Sequence, residues 1–135
     1  MYAMSQSKGL TRPVQGGTMS SPKSITSTNV WQMTDLFVRS INELTNSIPT
    51  SEIYGVKVRL NECANSVPKS LEEGLKQSKR IERIRSLIKA TGFLDECKDY
   101  LALINKLKYS DTNHLLTMAE EISQVIKQHQ FTGIN

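Results

Sequence analysis

From Val30 onward, apolar residues return every three or four positions almost to the C-terminus. Val30, Phe37, Ile41, Leu44 and Ile48 fall on one face of a first helix, which Pro49 ends. A second helix starting near Ser51 or Glu52 carries Ile53, Val56, Leu60, Cys63, Ala64, Val67, Leu71 and Leu75. Pro68 lies inside this run, where it removes a backbone donor and crowds the carbonyl of Ala64. The apolar spacing stays in phase beyond it, so the pattern predicts one kinked helix rather than two. Gly74 to Ser78 reads as a turn, with Ser78 as N-cap of a long third helix. Its apolar face is Ile81, Ile84, Leu87, Ile88, Leu94, Cys97, Leu101, Ile104 and Leu107. Tyr109 to Asp111 is the next break, and Ser110 or Asp111 caps a fourth helix. Leu115, Met118, Ala119, Ile122, Val125 and Ile126 form its stripe. Strand-type alternation is not sustained anywhere. Four amphipathic helices on short turns predict an all-α fold, an antiparallel up-and-down four-helix bundle with a kinked second helix.

Residues 1–28 break the pattern. They contain six Ser, four Thr, three Gly and two Pro, a composition that cannot bury enough surface to offset its ordering entropy. A flexible tail is expected over 1–28, the bundle over 29–130 and a short C-terminal tail over 131–135. Met4 or Met19 could also serve as the start. The 135 residues suit a single core. No apolar run approaches the ~18 residues of a membrane span, and Met1 to Ser27 holds no signal-type apolar stretch. Cys63 and Cys97 are too few for a multi-bridge scaffold. A reduced, cytoplasmic setting without membrane contact is expected.

Charge is unevenly placed. Residues 29–75 and 90–135 each hold four basic and six acidic side chains. The segment 76–89 holds six cations and one acid, and residues 1–28 hold three cations and no acid. This asymmetry points to a polyanion, although a net charge of +4 is modest. With a third helix starting at Ser78, Lys76, Lys79, Arg80 and Arg83 project onto about a third of its circumference. Arg85 and Lys89 lie on the other flank. Cations at a helix N-terminus oppose the macrodipole, yet free N–H groups beside them suit a phosphate. A basic face that is merely solvated stands level with a nucleic-acid site. No aromatic residue interleaves the cluster, so backbone contact rather than base stacking is indicated.

Catalytic signatures are missing from the sequence. His114 and His129 are fifteen residues apart near the two ends of the last helix, too far apart to share a metal. No Glu–x–x–His pair, P-loop, Gly–x–Ser–x–Gly or dinucleotide fingerprint occurs. Glu72–Glu73 and Glu120–Glu121 are adjacent pairs that point in different directions around a helix. Cys63 and Cys97 sit on apolar faces away from helix N-termini, as small core residues do. A non-enzymatic protein with no metal or cofactor is expected.

Several short pieces occur in an order that resembles a known family. They are Val30–Trp31–Gln32, Leu44–Thr45 with Ile48–Pro49, Glu52 with Tyr54–Gly55, and Ser66 through Gly74 around Pro68. Ser78, Glu82, Leu87, Ala90, Gly92 and Glu96 follow. Over about residues 30–128 the chain resembles the small bundle proteins encoded by intervening sequences in bacterial large-subunit ribosomal RNA genes. The resemblance implies a kinked second helix, a ring-shaped homopentamer and RNA binding. Trp31, Tyr54, Val58 and Phe93, off the best core faces, then become candidates for packing between subunits; the alternative is the edge of the monomer core. Two departures stand out. Asn61–Glu62 replaces a frequent Arg–Arg pair, and Ser78 to Glu82 is one residue longer than a Ser–x–x–Glu capping box.

The expected function is therefore phosphate contact, most simply with RNA, through Lys76, Lys79, Arg80, Arg83, Arg85 and Lys89. Two alternatives stay open. Accessory variability determinants of diversity-generating retroelements are similar basic rings, which would make the partner a reverse transcriptase and its template RNA. A protein-binding scaffold ring is the other.

Overall fold

Four helices carry the described chain: α1 (Pro22–Ser47), α2 (Tyr54–Lys76), α3 (Arg80–Lys106) and α4 (Asn113–Phe131). The structure, a computed structural model, describes residues 22–49 and 51–131, with side chains from 29 to 129. No strand occurs among the described residues. Helix α1 opens at Pro22, seven residues before the expected boundary at Asn29; residues 1–21 and 132–135 of the two expected tails lie outside the described residues.

The core positions repeat at three–four spacing, with Ser86, Thr91 and Ser123 buried beside the seam. On α1 these core positions are Val30, Thr34, Phe37, Ile41 and Thr45, continued by Ile48 just past its end; on α3, Leu87, Ala90, Leu94, Cys97, Leu101 and Ile104. Leu115, Ala119, Ile122 and Ile126 do the same on α4. This heptad-like seam is what lets helices pack lengthwise side by side. Helix α2 packs on α1 and α3, and α4 on α3 and α1, while among the described residues the backbones of the diagonal pairs do not come close. Contacts run in opposite directions along neighbouring helices. Gly74 approaches Ser86 and Leu87, whereas Cys63, further back on α2, meets Cys97 further along α3. Thr45 and Asn61 exchange hydrogen bonds of 3.0–3.2 Å between α1 and α2. Lys98 joins α3 to Glu120 on α4 at 2.8 Å. The topology is up-and-down.

Helix α2 runs unbroken through Pro68. The turn before the proline gains side-chain donors: Asn65 Nδ2 to the Asn61 carbonyl at 2.7 Å and Ser66 Oγ to the Glu62 carbonyl at 2.9 Å. Such back-bonding bends a helix slightly, just before the Ala64 carbonyl whose usual donor the proline removes. Gly74 is helical rather than part of a turn. A Cβ there would lie 3.2 Å from Leu87 and 3.3 Å from Ser86, so its lack of a side chain permits the close approach of α2 and α3.

The face expected of α3 is partly corrected. Ile81, Ile88 and Leu107 are 66%, 53% and 49% exposed. They lie on the outer side, and Ala90 and Thr91 are buried instead. Ser78 does not cap α3 either. Lys79, with extended backbone, occupies the N-cap position and no side chain caps the end.

Lys108, at φ 65°, ends α3. Tyr109 N–H bonds the Ile104 carbonyl at 3.1 Å and Lys108 N–H the Asn105 carbonyl at 3.0 Å, a Schellman closure with lysine in the place that favours glycine. Beyond it, buried Thr112 donates to the Leu101 carbonyl at 2.7 Å. Thr112, whose carbonyl accepts from Leu116 N–H at 3.0 Å, holds the cap position of α4, one residue after the expected Asp111, which still accepts from Asn113 N–H at 3.0 Å through Oδ1. Lys108→Gly should raise stability by about 1 kcal/mol by relieving the left-handed strain. Urea unfolding checks this, and an unchanged or lower midpoint would count against the assignment.

Candidate nucleic-acid interface

The basic segment forms one end of the α2–α3 hairpin. Helix α2 stops at Lys76, Gln77 is extended and donates its N–H to the Gly74 carbonyl at 3.3 Å, and α3 begins at Arg80. Lys76 thus belongs to α2 and not to the helix of Lys79, Arg80 and Arg83. The four cations are brought together by a three-residue hinge rather than by one helical face.

Their surroundings differ. Lys76 pairs with Glu72 at 3.1 Å, Arg85 with Glu82 at 3.4 Å and Lys89 with Glu73 across the hairpin at 4.0 Å. Arg83 is half-buried and donates from Nη1 to the Gln77 carbonyl at 3.4 Å, which ties the hinge to α3. Lys79 and Arg80 are exposed, and no ion pair engages them among the described residues. They stand at the uncapped start of α3, where backbone N–H groups lack intrahelical acceptors. The three exposed ion pairs are weak and break readily, so Lys76, Arg85 and Lys89 remain available to a polyanion beside Lys79 and Arg80. Exposed Ile81 lies beside Arg80.

The capping departure now has a physical cause. With Lys79 at the N-cap, Glu82 is the third helical residue, the acid position of a capping box. The box is in register, but a cation sits where a serine or threonine would accept an amide. Helix stability is given up at the place where positive charge gathers. Asn61, where the resemblance suggested arginine, is half-buried against α1 through Thr45.

Of the four residues suggested for subunit packing, Tyr54 is 65% exposed. Trp31 and Phe93 are half-buried and pack on the monomer core; Val58 is half-buried. Larger exposed apolar side chains lie elsewhere, at Leu36, Ile81, Ile88, Leu103 and Leu107.

Elsewhere, no group of three His, Cys, Asp or Glu side chains converges among the described residues. No described helix is long and apolar enough to cross a membrane. Sequence reading missed the meeting of Cys63 and Cys97, whose sulfurs are 3.0 Å apart. Their placement on two apolar stripes carried no sign of the register that joins them.

Among solved structures, the fold matches a protein of unknown function from the S23 ribosomal protein family of Bacteroides thetaiotaomicron VPI-5482, with a TM-score of 0.66 and 14% identity. The match covers 79% of this chain and 99% of that one. No curated protein matches the chain. The model of the 23S rRNA-intervening sequence proteins matches residues 26–130, four helices and hinge included, and the chain belongs to that family.

Proposed function

We infer that this protein is a non-enzymatic RNA-binding bundle that contacts phosphates through the α2–α3 hinge. The observation that carries this reading is the pair Lys79 and Arg80, exposed and without ion pairs at an uncapped helix N-terminus. Membership of a family named for ribosomal RNA intervening sequences makes RNA the polyanion to test first. Phosphate contact needs no aromatic platform, and the hinge has none.

Self-association into a ring, as the resemblance implies, would multiply the patch around a common axis and raise affinity through multivalency. Tyr54 and the exposed isoleucines and leucines are the apolar surface such contacts would use. A reverse transcriptase as partner draws on the resemblance alone.

Titration of the purified protein against a structured RNA and a length-matched duplex DNA, at several salt concentrations, tests the function. RNA affinity should fall with salt, with a log–log slope of roughly −2 to −4 per subunit engaged. Light scattering on the same samples gives the subunit number. Failure to bind RNA at low salt would leave a scaffold whose cations only solvate it.

A further inference from the structure

The Cys63 and Cys97 sulfurs face one another across the α2–α3 interface, 3.0 Å apart, and both thiols are free. They are not equally placed. Cys97 is fully buried, whereas Cys63 is 5% exposed and lines a cleft of about 190 Å³ with Arg59, Glu62, Ser66, Phe93, Glu96 and Tyr100. A small solute that enters this cleft meets Cys63 and has Cys97 directly behind it. We propose that the pair is a peroxide-reactive dithiol site, with Cys63 as the attacking sulfur and Cys97 as the resolving one.

Access to the cleft sets that order, and the shared hydrogen bond eases the first ionisation: it lowers the Cys63 pKa and raises that of Cys97, while burial and the nearby Glu96 carboxylate act to raise both. One shared proton makes the first ionisation easier and the second harder. The thiolate is the reactive form.

The chemistry balances with a hydroperoxide as oxidant. The Cys63 thiolate attacks one oxygen of hydrogen peroxide, an S–O bond forms, the O–O bond breaks and hydroxide leaves. The Cys97 sulfur then attacks the Cys63 sulfenic acid. An S–S bond forms, the S–O bond breaks, and the proton of Cys97 leaves with the departing oxygen as water. The hydroxide takes up the proton that Cys63 lost on ionising, so two thiols are oxidised and one peroxide yields two waters. Closure to a bond length of about 2.05 Å needs the sulfurs to approach by about 1 Å, within reach of side-chain adjustment. The loop so closed contains the entire segment from Lys76 to Lys89, so oxidation pins the hairpin that presents it.

The test uses the reduced full chain treated with hydrogen peroxide, then intact-mass and non-reducing peptide mass spectrometry. The expected product is a monomeric chain lighter by two hydrogens, with one cross-linked peptide joining Cys63 to Cys97. In Cys97→Ser, the Cys63 sulfenic acid should accumulate and be trapped by dimedone. In Cys63→Ser, Cys97 should react at least about 10-fold more slowly than Cys63 does. Circular dichroism checks that both variants fold, and the wild-type peptide map decides the question if either does not. Retention of both thiols under peroxide that oxidises free cysteine would overturn the proposal. So would disulfides formed only between chains, or equal reactivity of the two cysteines.

Discussion

Lys79→Glu combined with Arg80→Glu is expected to lower RNA affinity by on the order of 100-fold at low salt. Both side chains are exposed and unpaired, so reversal removes two contacts and aims two carboxylates at the phosphates. The slope of log affinity against log salt should become shallower by roughly 1.5–2, the share of two lost contacts. Stability should not fall. Acidic groups near a helix N-terminus complement the macrodipole, by about 0.3–1 kcal/mol each when exposed. A companion substitution separates binding from folding more sharply. Lys79→Ser places a capping hydroxyl three residues before Glu82 and completes the capping box, so the helix should gain about 1 kcal/mol while RNA affinity declines. Weaker binding by a more stable protein cannot be blamed on unfolding. If Lys79→Ser stabilises the chain but binds RNA as tightly as before, Lys79 is not a contact.

Phe37→Ala should produce the largest loss of stability, about 3–5 kcal/mol. Phe37 is fully buried on α1, where the helix meets both α2 and α4, and truncation leaves a cavity that three helices must collapse to fill. A loss of this size is a large part of the 5–15 kcal/mol typical of a whole domain. The neighbouring Leu36 is 52% exposed, and Leu36→Ala should change stability by about 0.5 kcal/mol or less. Chemical denaturation of the two variants reads the contrast. Similar losses for both would mean that α1 buries a different face, or that Leu36 is covered in an assembly.

Helix number, order and most of the core were legible because heptad spacing survives in the sequence without knowledge of partners. Val30, Phe37, Ile41, Leu60, Val67, Leu71, Leu101 and Ile122 are apolar, correctly spaced and buried. Helix α3 was harder to read because it carries apolar residues on two sides. Ile81 and Ile88 are seven residues apart and so mimic a seam, while small Ala90 and polar Thr91 occupy the real one. The cap was misplaced by one residue, since Ser78 is a better capping residue than Lys79 and only the backbone at the hinge decides between them. Lys76 falls in α2 for a different reason, because α2 runs on through Gly74, which reads as a turn in the sequence. The basic cluster itself was legible as charge, but which of its members are paired was not. Glu73 meets Lys89 across the hairpin, and contacts between helices depend on register, which periodicity does not encode. The Cys63–Cys97 meeting was hidden for the same reason.

Side-by-side salt titration of RNA binding by the wild-type chain and the Lys79→Glu/Arg80→Glu variant tests the central claim most directly. Phosphate contact at the α2–α3 hinge requires a steep salt dependence in the wild type and a weaker, shallower one in the variant, with the same helicity in both. Superimposable titrations would contradict it and place any RNA contact elsewhere on the bundle.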